Sequence, residues 1–134
     1  TDLVKDRAIL EAAYNDSQGV TARFNLNLLA RINRELGANF NLSTFAHRAL
    51  YVSDLARIEM HLESQADQEV QIPGAQFMAR FGAGEWIHTE NSHKYTPEAL
   101  AALAERSGFV EEAAWTDREN RFRVQRWRVA GVAR

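Results

Sequence analysis

The sequence predicts an α+β fold, in which helices pack on an antiparallel sheet. Three observations indicate this class. An apolar residue recurs at every fourth position over residues 20–36, which is the spacing of one helix face. Over residues 55–63, apolar and polar residues alternate, as in a half-buried strand. Helical segments come first, strands follow as a group, and a helix and a hairpin close the chain, unlike the regular alternation of parallel α/β folds.

Length and composition are those of one compact domain. The chain has 134 residues, of which 46% are hydrophobic and 25% charged, so it has enough apolar material for a core. The net charge of −2 argues against a nucleic-acid partner. No apolar run reaches the roughly 20 residues that a membrane helix needs. Since cysteine is absent, disulfides and thiolate chemistry are excluded. We expect a cytoplasmic address.

The first fifteen residues predict a strand end and a short helix. Leu3 and Val4 are typical of the end of a buried strand, and the chain has no initiator Met, so we expect it to be part of a longer protein. Asp6 is a suitable N-cap for a helix over residues 7–15. The turn-forming residues 15–19 end that helix.

A longer helix is predicted from Val20 to Leu36, with Gly37 as the left-handed residue that ends it. Its predicted apolar face consists of residues spaced four apart, namely Val20, Phe24, Leu28, Ile32 and Leu36. Leu29 widens this face.

Strands are predicted over residues 55–63, 70–72, 76–81 and 85–89, because turn residues at 73–74 and 82–84 separate short segments of strand character. Together they predict an antiparallel meander of about four strands. Thr96 and Pro97 then begin a helix that Gly108 ends. Residues 109–115 and 120–129 predict a final hairpin.

Three sequence blocks carry a resemblance to a known family. They are Ile87-His88-Thr89-Glu90-Asn91-Ser92-His93-Lys94-Tyr95, residues 13–16 with 19–25 and 29–36, and Arg57-Ile58-Glu59-Met60-His61-Leu62. In order and spacing they resemble the C-terminal half of the histidine-specific Nα-methyltransferases that begin ergothioneine synthesis. The resemblance extends from Asp2 to the final hairpin, and a block such as T-E-N-S-x-K-Y is fairly specific.

The resemblance implies a transferase that moves three methyl groups from S-adenosylmethionine to the α-amino nitrogen of L-histidine, giving hercynine. It implies that residues 1–15 end the methyltransferase core and form a linking helix, and that residues 16–88 are a histidine-binding insertion. Residues 89–134 would be the helix and hairpin that complete a class I, Rossmann-like sheet. The cofactor S-adenosylmethionine would be bound mainly by an absent N-terminal part, because no glycine-rich loop here leads from a strand into a helix.

The resemblance also implies a substrate site. Glu90 and Ser92 would hydrogen-bond the imidazole nitrogens, and Tyr14 would bind the carboxylate. Phe24 and Met60 would wall the ring. No residue is assigned as catalytic, since the implied role of these residues is to place the substrate.

The same residues can be interpreted without the family. Residues two apart in an extended segment point to one side, so Glu90 and Ser92 can offer imidazole an acceptor and a donor. The plainer interpretation is a surface Glu and a turn Ser, with Tyr14 half-buried at a helix end and Phe24 and Met60 in the core.

Two further groups of residues favour structural roles. The four histidines, at positions 47, 61, 88 and 93, show no compact ligand spacing, so no metal site is predicted. The arginines at 121, 123, 126 and 128 are interleaved with aromatic residues, as in proteins that bind single strands. Because they fall on both strand faces and have acidic neighbours, a solvated edge hairpin is favoured.

Two alternatives to a methyltransferase part stay open from the sequence. One is a binding module that recognises an imidazole-bearing metabolite without chemistry. The other is a structural or interaction domain without a ligand. The sequence does not fix the oligomeric state.

Overall fold

The computed structural model describes residues 1–131 and confirms the α+β class. The helices are α1 (Arg7–Tyr14), α2 (Val20–Leu36) and α3 (Pro97–Arg106). The strands are β1 (Phe45–Val52), β2 (Arg57–Ser64), β3 (Gln68–Ile72), β4 (Phe77–Phe81), β5 (Trp86–His93), β6 (Phe109–Thr116) and β7 (Arg123–Val129). Over the described range, the helices fall short of the length and apolar character that a membrane crossing requires.

The helix ends follow local sequence chemistry, as predicted. The side chain of Asp6 accepts hydrogen bonds from the second and third backbone N–H groups of α1. Thr96 accepts one from Ala99 at the start of α3, where Pro97 occupies the first turn. At the end of α2, Gly37 adopts the left-handed conformation, with φ of 65°.

The start of α2 is held by Asp16. Its two carboxylate oxygens accept hydrogen bonds of 2.8 Å from the N–H groups of Val20 and Thr21. These backbone hydrogen bonds stabilise the charged carboxylate and lower the pKa of Asp16 to about 2. The carboxylate therefore fixes the turn between α1 and α2, the two helices that cover the sheet.

The central sheet has three antiparallel strands in the order β1-β2-β5, while β3–β4 and β6–β7 form separate hairpins. The predicted four-strand meander is therefore wrong, because β5 pairs with β2 and not with β4. The turn before β5 accounts for this pairing. Gly84 donates to the carbonyl of Ser64 and Ser64 donates to that of Glu85, at 2.7 and 2.8 Å. These bonds align the start of β5 with the end of β2.

Two clusters form the core on the helix-covered face of this sheet. One joins α2 to β1, β2 and β3 through Leu29, Phe40, Phe45, Leu62 and Val70. The other joins α1 to β1 and β2 through Leu10, Tyr51, Ile58 and Met60. Burial of these apolar side chains is the main stabilising contribution to the fold.

The predicted apolar face of α2 is only partly the buried one. Phe24 is 64% exposed, and Val20, Leu28 and Leu36 are also exposed. The buried residues of α2 are Asn25 and Leu29. A strict four-residue spacing rotates by about 40° at each step around a helix, so such a stripe drifts off the contact surface. That drift accounts for the exposure of Val20, Phe24 and Leu28, which lie about 100–180° around the helix from the buried Leu29. Leu36 is exposed because it is the last residue of α2.

The first residues connect the C-terminal hairpin to the end of β5. The backbone nitrogen of Thr1 donates to the carbonyl of Arg123 at 2.7 Å, and the N–H of Arg123 donates back to Thr1 at 2.9 Å. On the other side, Tyr95 donates to the carbonyl of Asp2 at 3.2 Å and accepts from Val4 at 3.0 Å. Leu3 between them is buried. Residues 1–4 therefore form single bridges to two neighbours and not a long strand.

Three of the four arginines singled out in the C-terminal hairpin, Arg121, Arg123 and Arg126, form ion pairs with neighbouring carboxylates. Arg123 contacts Glu111 at 2.8 Å, and Arg126 contacts Glu112 at 2.9 Å. Because neighbouring acidic groups balance these charges, the hairpin has the character of the solvated edge favoured by its sequence.

Candidate functional site

Strand β5 presents Glu90 and Ser92 to the helix-covered face of the sheet. Glu90 is paired with Met60 and Ser92 with Ile58 in the antiparallel register. Directly opposed residues of an antiparallel pair point to the same side, and Met60 and Ile58 are buried against Leu10 of α1. Glu90 and Ser92 therefore share a face, as their two-residue spacing predicts.

A β-bulge in β5 places His88 on the other face. His61 is paired with His88, while the preceding residue Met60 is paired with Glu90, so Thr89 is an extra residue. The hydroxyl of Thr89 donates to the carbonyl of Met60 at 2.9 Å. Because of this extra residue, Glu90 lies on the face opposite to His88 although the two are only two positions apart.

An open cleft of about 230 Å³ lies between α2 and β5. Its lining residues are Phe24, Asn25, Asn27, Leu28, Arg31, Thr89 and Glu90. The carboxylate of Glu90 forms no hydrogen bond or ion pair with the residues that the structure describes. An exposed aromatic ring facing an unpaired carboxylate suits a small, flat ligand that carries an N–H donor.

A hydroxyl pair lies next to this cleft on the same face. The phenol oxygen of Tyr14 is 2.7 Å from the hydroxyl oxygen of Ser92. The ammonium of Lys94 donates to both oxygens, each at 2.8 Å, and is 3.0 Å from the carboxylate of Asp2. The side chain of Lys94 is fully buried, at 0% exposure.

Asp2 is the charge partner of this buried ammonium. Burial by itself would raise the pKa of Asp2, but hydrogen bonds from Lys5 and Lys94 outweigh it and hold the pKa below its ordinary value. Asp2 is therefore a carboxylate at neutral pH. It supplies the negative charge that a desolvated ammonium requires.

Asn25 and His47 connect the two helices to the sheet beneath the site. The side-chain amide of Asn25 donates to the carbonyl of His61 at 3.0 Å and to Nδ1 of His47 at 2.9 Å. Nε2 of His47 donates to the carbonyl of Tyr14 at 2.8 Å. Since Nδ1 is the acceptor, the hydrogen of the ring lies on Nε2. The end of α1, which carries Tyr14, is thereby fixed against β1.

Asn15 adds a second connection at the same helix end. Its side chain donates to the carbonyl of Ala49 at 2.8 Å and accepts from the N–H of Ala49 at 3.2 Å. The amide therefore continues the hydrogen bonding of β1 into the helix end and limits the movement of the neighbouring Tyr14.

The structure brings four of the five predicted site residues into two neighbouring places. Tyr14 and Ser92 are in direct contact, and Phe24 and Glu90 line the cleft. Met60, at 2% exposure, lies in the core cluster under α1 and not among the residues lining the cleft. It is nevertheless the direct neighbour of Glu90 in the sheet.

Sequence reasoning missed Lys94, Asp2, Asn25 and His47 as members of this region. Lys94 follows Ser92 by two positions, so the alternation that grouped Glu90 with Ser92 could have included it. Asp2 reaches the site only through the tertiary contact of residues 1–4, for which no sequence signal exists.

The other face of the sheet carries a cluster of Glu59, His61 and His88, whose candidate ligand atoms lie within 4.8 Å of one another. The spacing of the histidines along the chain gave no sign of it. Arg57 donates to Glu59 at 2.9 Å and lowers the pKa of that carboxyl group, while burial lowers the pKa of His61. Since a guanidinium already balances Glu59, the cluster is interpreted as an ion-pair network. The absence of a metal stays a prediction.

The glycine-rich turn at residues 82–84 does not fit S-adenosylmethionine. Its N–H groups are satisfied locally, because Gly82 donates to Glu85 at 2.9 Å and Ala83 donates to Asp67 at 2.8 Å. The turn also joins strands β4 and β5, whereas a cofactor loop leads from a strand into a helix. The connection that does lead from a strand into a helix, from β5 into α3 over residues 94–96, contains no glycine.

Comparison with known proteins agrees with the resemblance read from the motifs. A family model described as histidine-specific methyltransferase, SAM-dependent, matches residues 1–129. The histidine N-alpha-methyltransferase of Mycolicibacterium smegmatis is 45% identical over 117 residues, which are 87% of this chain and 36% of that protein. That of Mycobacterium tuberculosis is 44% identical over 122 residues, which are 91% of this chain and 38% of that protein. The chain thus spans little more than a third of the length of these relatives, in their C-terminal part. It belongs to the family of SAM-dependent, histidine-specific methyltransferases.

Proposed function

We propose that this chain is the substrate-binding part of a histidine Nα-methyltransferase of the ergothioneine pathway. L-Histidine binds in the cleft between α2 and β5, and the complete enzyme trimethylates its α-amino nitrogen to give hercynine. The observation that carries the proposal is the unpaired carboxylate of Glu90 on the same sheet face as the hydroxyl of Ser92, beside an exposed aromatic ring. The names of the two mycobacterial relatives support histidine as the substrate.

Each site residue has a chemical role in this proposal. The carboxylate of Glu90 accepts a hydrogen bond from the imidazole N–H, and the hydroxyl of Ser92 donates to the other ring nitrogen. The phenol of Tyr14 binds the carboxylate of the substrate. Phe24 provides one wall, and Met60 supports the sheet next to Glu90. A site that pairs with both ring nitrogens favours histidine over side chains that lack them, because Glu90 and Ser92 make these hydrogen bonds only to an imidazole.

Catalysis in this proposal is chiefly placement. Binding of the imidazole ring, remote from the reacting nitrogen, orients the amine for methyl transfer. S-Adenosylmethionine supplies the methyl groups and is bound mainly by the part of the enzyme outside this chain. Glu90 contacts the ring and is not a base for the amine. In this arrangement the histidine-binding insertion, expected over residues 16–88, extends to the end of β5 at His93, because β5 is one strand paired with β2. Residues 1–15, which contribute Tyr14 to the site, and the chain after β5 complete the methyltransferase core and its sheet.

The first experiment measures methyl transfer by mass spectrometry with the full-length protein, using L-histidine and S-adenosylmethionine. Trimethylhistidine as product supports the proposal. Binding of histidine without methylation identifies a binding module, and neither binding nor methylation identifies a structural domain. Either of the last two results contradicts the proposed activity.

The second experiment replaces the residue that carries the proposal. Glu90→Gln should raise the KM for histidine roughly 10- to 100-fold, since hydrogen bonds to charged groups contribute about 1.5–3 kcal/mol. The matched control is Glu105→Gln on the exposed face of α3, which should leave the KM unchanged. Equal KM values for Glu90→Gln and the unmodified protein would show that the ring does not bind at Glu90.

A further inference from the structure

The ammonium of Lys94 has its full set of hydrogen-bond partners inside the protein. An ammonium offers three N–H donors. Three oxygens surround it, from Asp2 at 3.0 Å and from Tyr14 and Ser92 at 2.8 Å each. Its side chain has no exposed surface. Lys94 therefore has no donor left for a ligand, and any influence on the substrate acts through the two hydroxyl groups.

The positions of the hydroxyl hydrogens follow from counting donors. The oxygens of Tyr14 and Ser92 each accept one hydrogen bond from Lys94, and they are 2.7 Å from each other. That contact uses the hydrogen of one hydroxyl. If Tyr14 donates to Ser92, the Ser92 hydrogen is free, and if Ser92 donates, the Tyr14 hydrogen is free. While this contact is made, the pair has one free hydroxyl hydrogen, and donation by both Tyr14 and Ser92 to histidine requires the contact to break.

We infer that Lys94, anchored by Asp2, is a positioning residue that holds both hydroxyl oxygens as acceptors, so that the hydrogens of Tyr14 and Ser92 are directed away from the ammonium and toward the substrate. This inference rests on the proposed function, in which Tyr14 and Ser92 bind histidine. Without the ammonium, both hydroxyls rotate freely, and their hydrogens can also point away from the substrate, toward the position that the ammonium occupied. The free site is then less well preorganised, and the affinity for histidine falls.

The test is a set of substitutions in the full-length enzyme, with the KM for histidine, the KM for S-adenosylmethionine and kcat measured separately. Lys94→Met combined with Asp2→Asn removes the ion pair without leaving a buried carboxylate unpaired. We expect the KM for histidine to rise roughly 10-fold or more. The KM for S-adenosylmethionine and kcat should change less than about 3-fold.

The matched control is Lys5→Met. Lys5 also pairs with Asp2, but its other contact is the carbonyl of Arg121 and not a hydroxyl of the site. It should change the KM for histidine less than about 2-fold. A rise as large as that of the Lys94 variant would assign the effect to Asp2 alone and overturn the inference.

A double-mutant cycle separates positioning from a merely structural role. In a Tyr14→Phe, Ser92→Ala background, the Lys94→Met, Asp2→Asn change should add less than about 2-fold to the KM, because the hydroxyls it positions are gone. If the two effects multiply instead, Lys94 acts independently of the hydroxyls and the inference is wrong. Loss of histidine binding in the unmodified enzyme would refute the proposed function, and this inference with it.

A direct measurement covers the case in which the Lys94 variant does not fold. In an NMR spectrum of the full-length enzyme with ¹⁵N-labelled lysine, Lys94 should give a slowly exchanging ammonium signal. That signal should shift in Tyr14→Phe and on addition of histidine. A signal that is missing from the spectrum, or that does not respond to histidine, would overturn the inference even though the unmodified enzyme binds histidine.

Discussion

Asn25→Ala should destabilise the fold by removing a buried polar side chain that joins α2 to the sheet. The side chain of Asn25 is 3% exposed and satisfies two acceptors, the carbonyl of His61 and Nδ1 of His47. A buried acceptor left without a partner costs about 1–3 kcal/mol. Asn25 also lines the open cleft, so water can reach part of the vacated space. We therefore expect a loss of about 2–3 kcal/mol in the free energy of unfolding, at the lower part of the two-acceptor range.

The assay is urea unfolding of the chain followed by tryptophan fluorescence. With an m value of about 1.5–2 kcal/mol/M, this loss lowers the midpoint by about 1–2 M. The control is Asn27→Ala, since Asn27 is exposed, lies on the same helix and lines the same cleft. It should change the unfolding free energy by less than about 0.5 kcal/mol. Equal midpoints for the two variants would show that Asn25 does not hold α2 to the sheet, and would refute the reasoning.

Three further predictions concern the core, the outer face and one turn. Leu29→Ala, at a fully buried position of α2, should cost about 2–5 kcal/mol in the same unfolding assay. Burial lowers the pKa of His61 below 6.5, so the unfolded chain binds more protons than the folded one as the pH drops below that value, and the free energy of unfolding falls. His61→Gln should make the free energy of unfolding depend less on pH, which urea midpoints measured at several pH values would show. Gly74→Ala should lower the melting temperature, because a Cβ there would lie 2.9 Å from the backbone of Leu36. Gly82→Ala, with no contact closer than 3.9 Å, should leave it nearly unchanged.

The helices were predictable because their ends are set locally. Asp6, Thr96 and Gly37 act within one turn of the residues they cap, so a short stretch of sequence contains the whole interaction. Which face of α2 is buried was not predictable in the same way. It depends on where β1 and β2 lie beneath Asn25 and Leu29, which is a tertiary property.

Strand β1 was missed because its residues do not alternate in polarity. The positions that face the helices include His47 and Ala49, while the outward positions include Leu50 and Val52. A period of two is therefore absent, although the strand pairs with β2 over its whole length. The pairing of β5 with β2 likewise depends on contacts between residues far apart in sequence, which local patterns do not encode.

The candidate site was found through a motif, and geometry adds to it. The block containing Glu90 and Ser92 was recognisable because the two residues lie two positions apart on one strand, so a short stretch of sequence contains both. The contact between Tyr14 and Ser92 joins residues 78 positions apart, and no spacing rule predicts it. The contact between Asp2 and Lys94 is equally unpredictable from spacing, since only the folded chain places Asp2 beside Lys94.

The extra residue at Thr89 has a consequence for how this strand tolerates changes in length. Before the bulge, even-numbered positions such as His88 point to the outer face, and after it, even-numbered positions such as Glu90 point to the inner one. Deleting Thr89 would leave a regular ladder with both side chains on their present faces. Deleting Asn91 would instead make Ser92 the direct neighbour of Glu90 in sequence, and the side chain of Ser92 would then point to the outer face of the sheet. Homologues one residue shorter at the bulge can therefore keep the site, whereas homologues one residue shorter beyond it cannot.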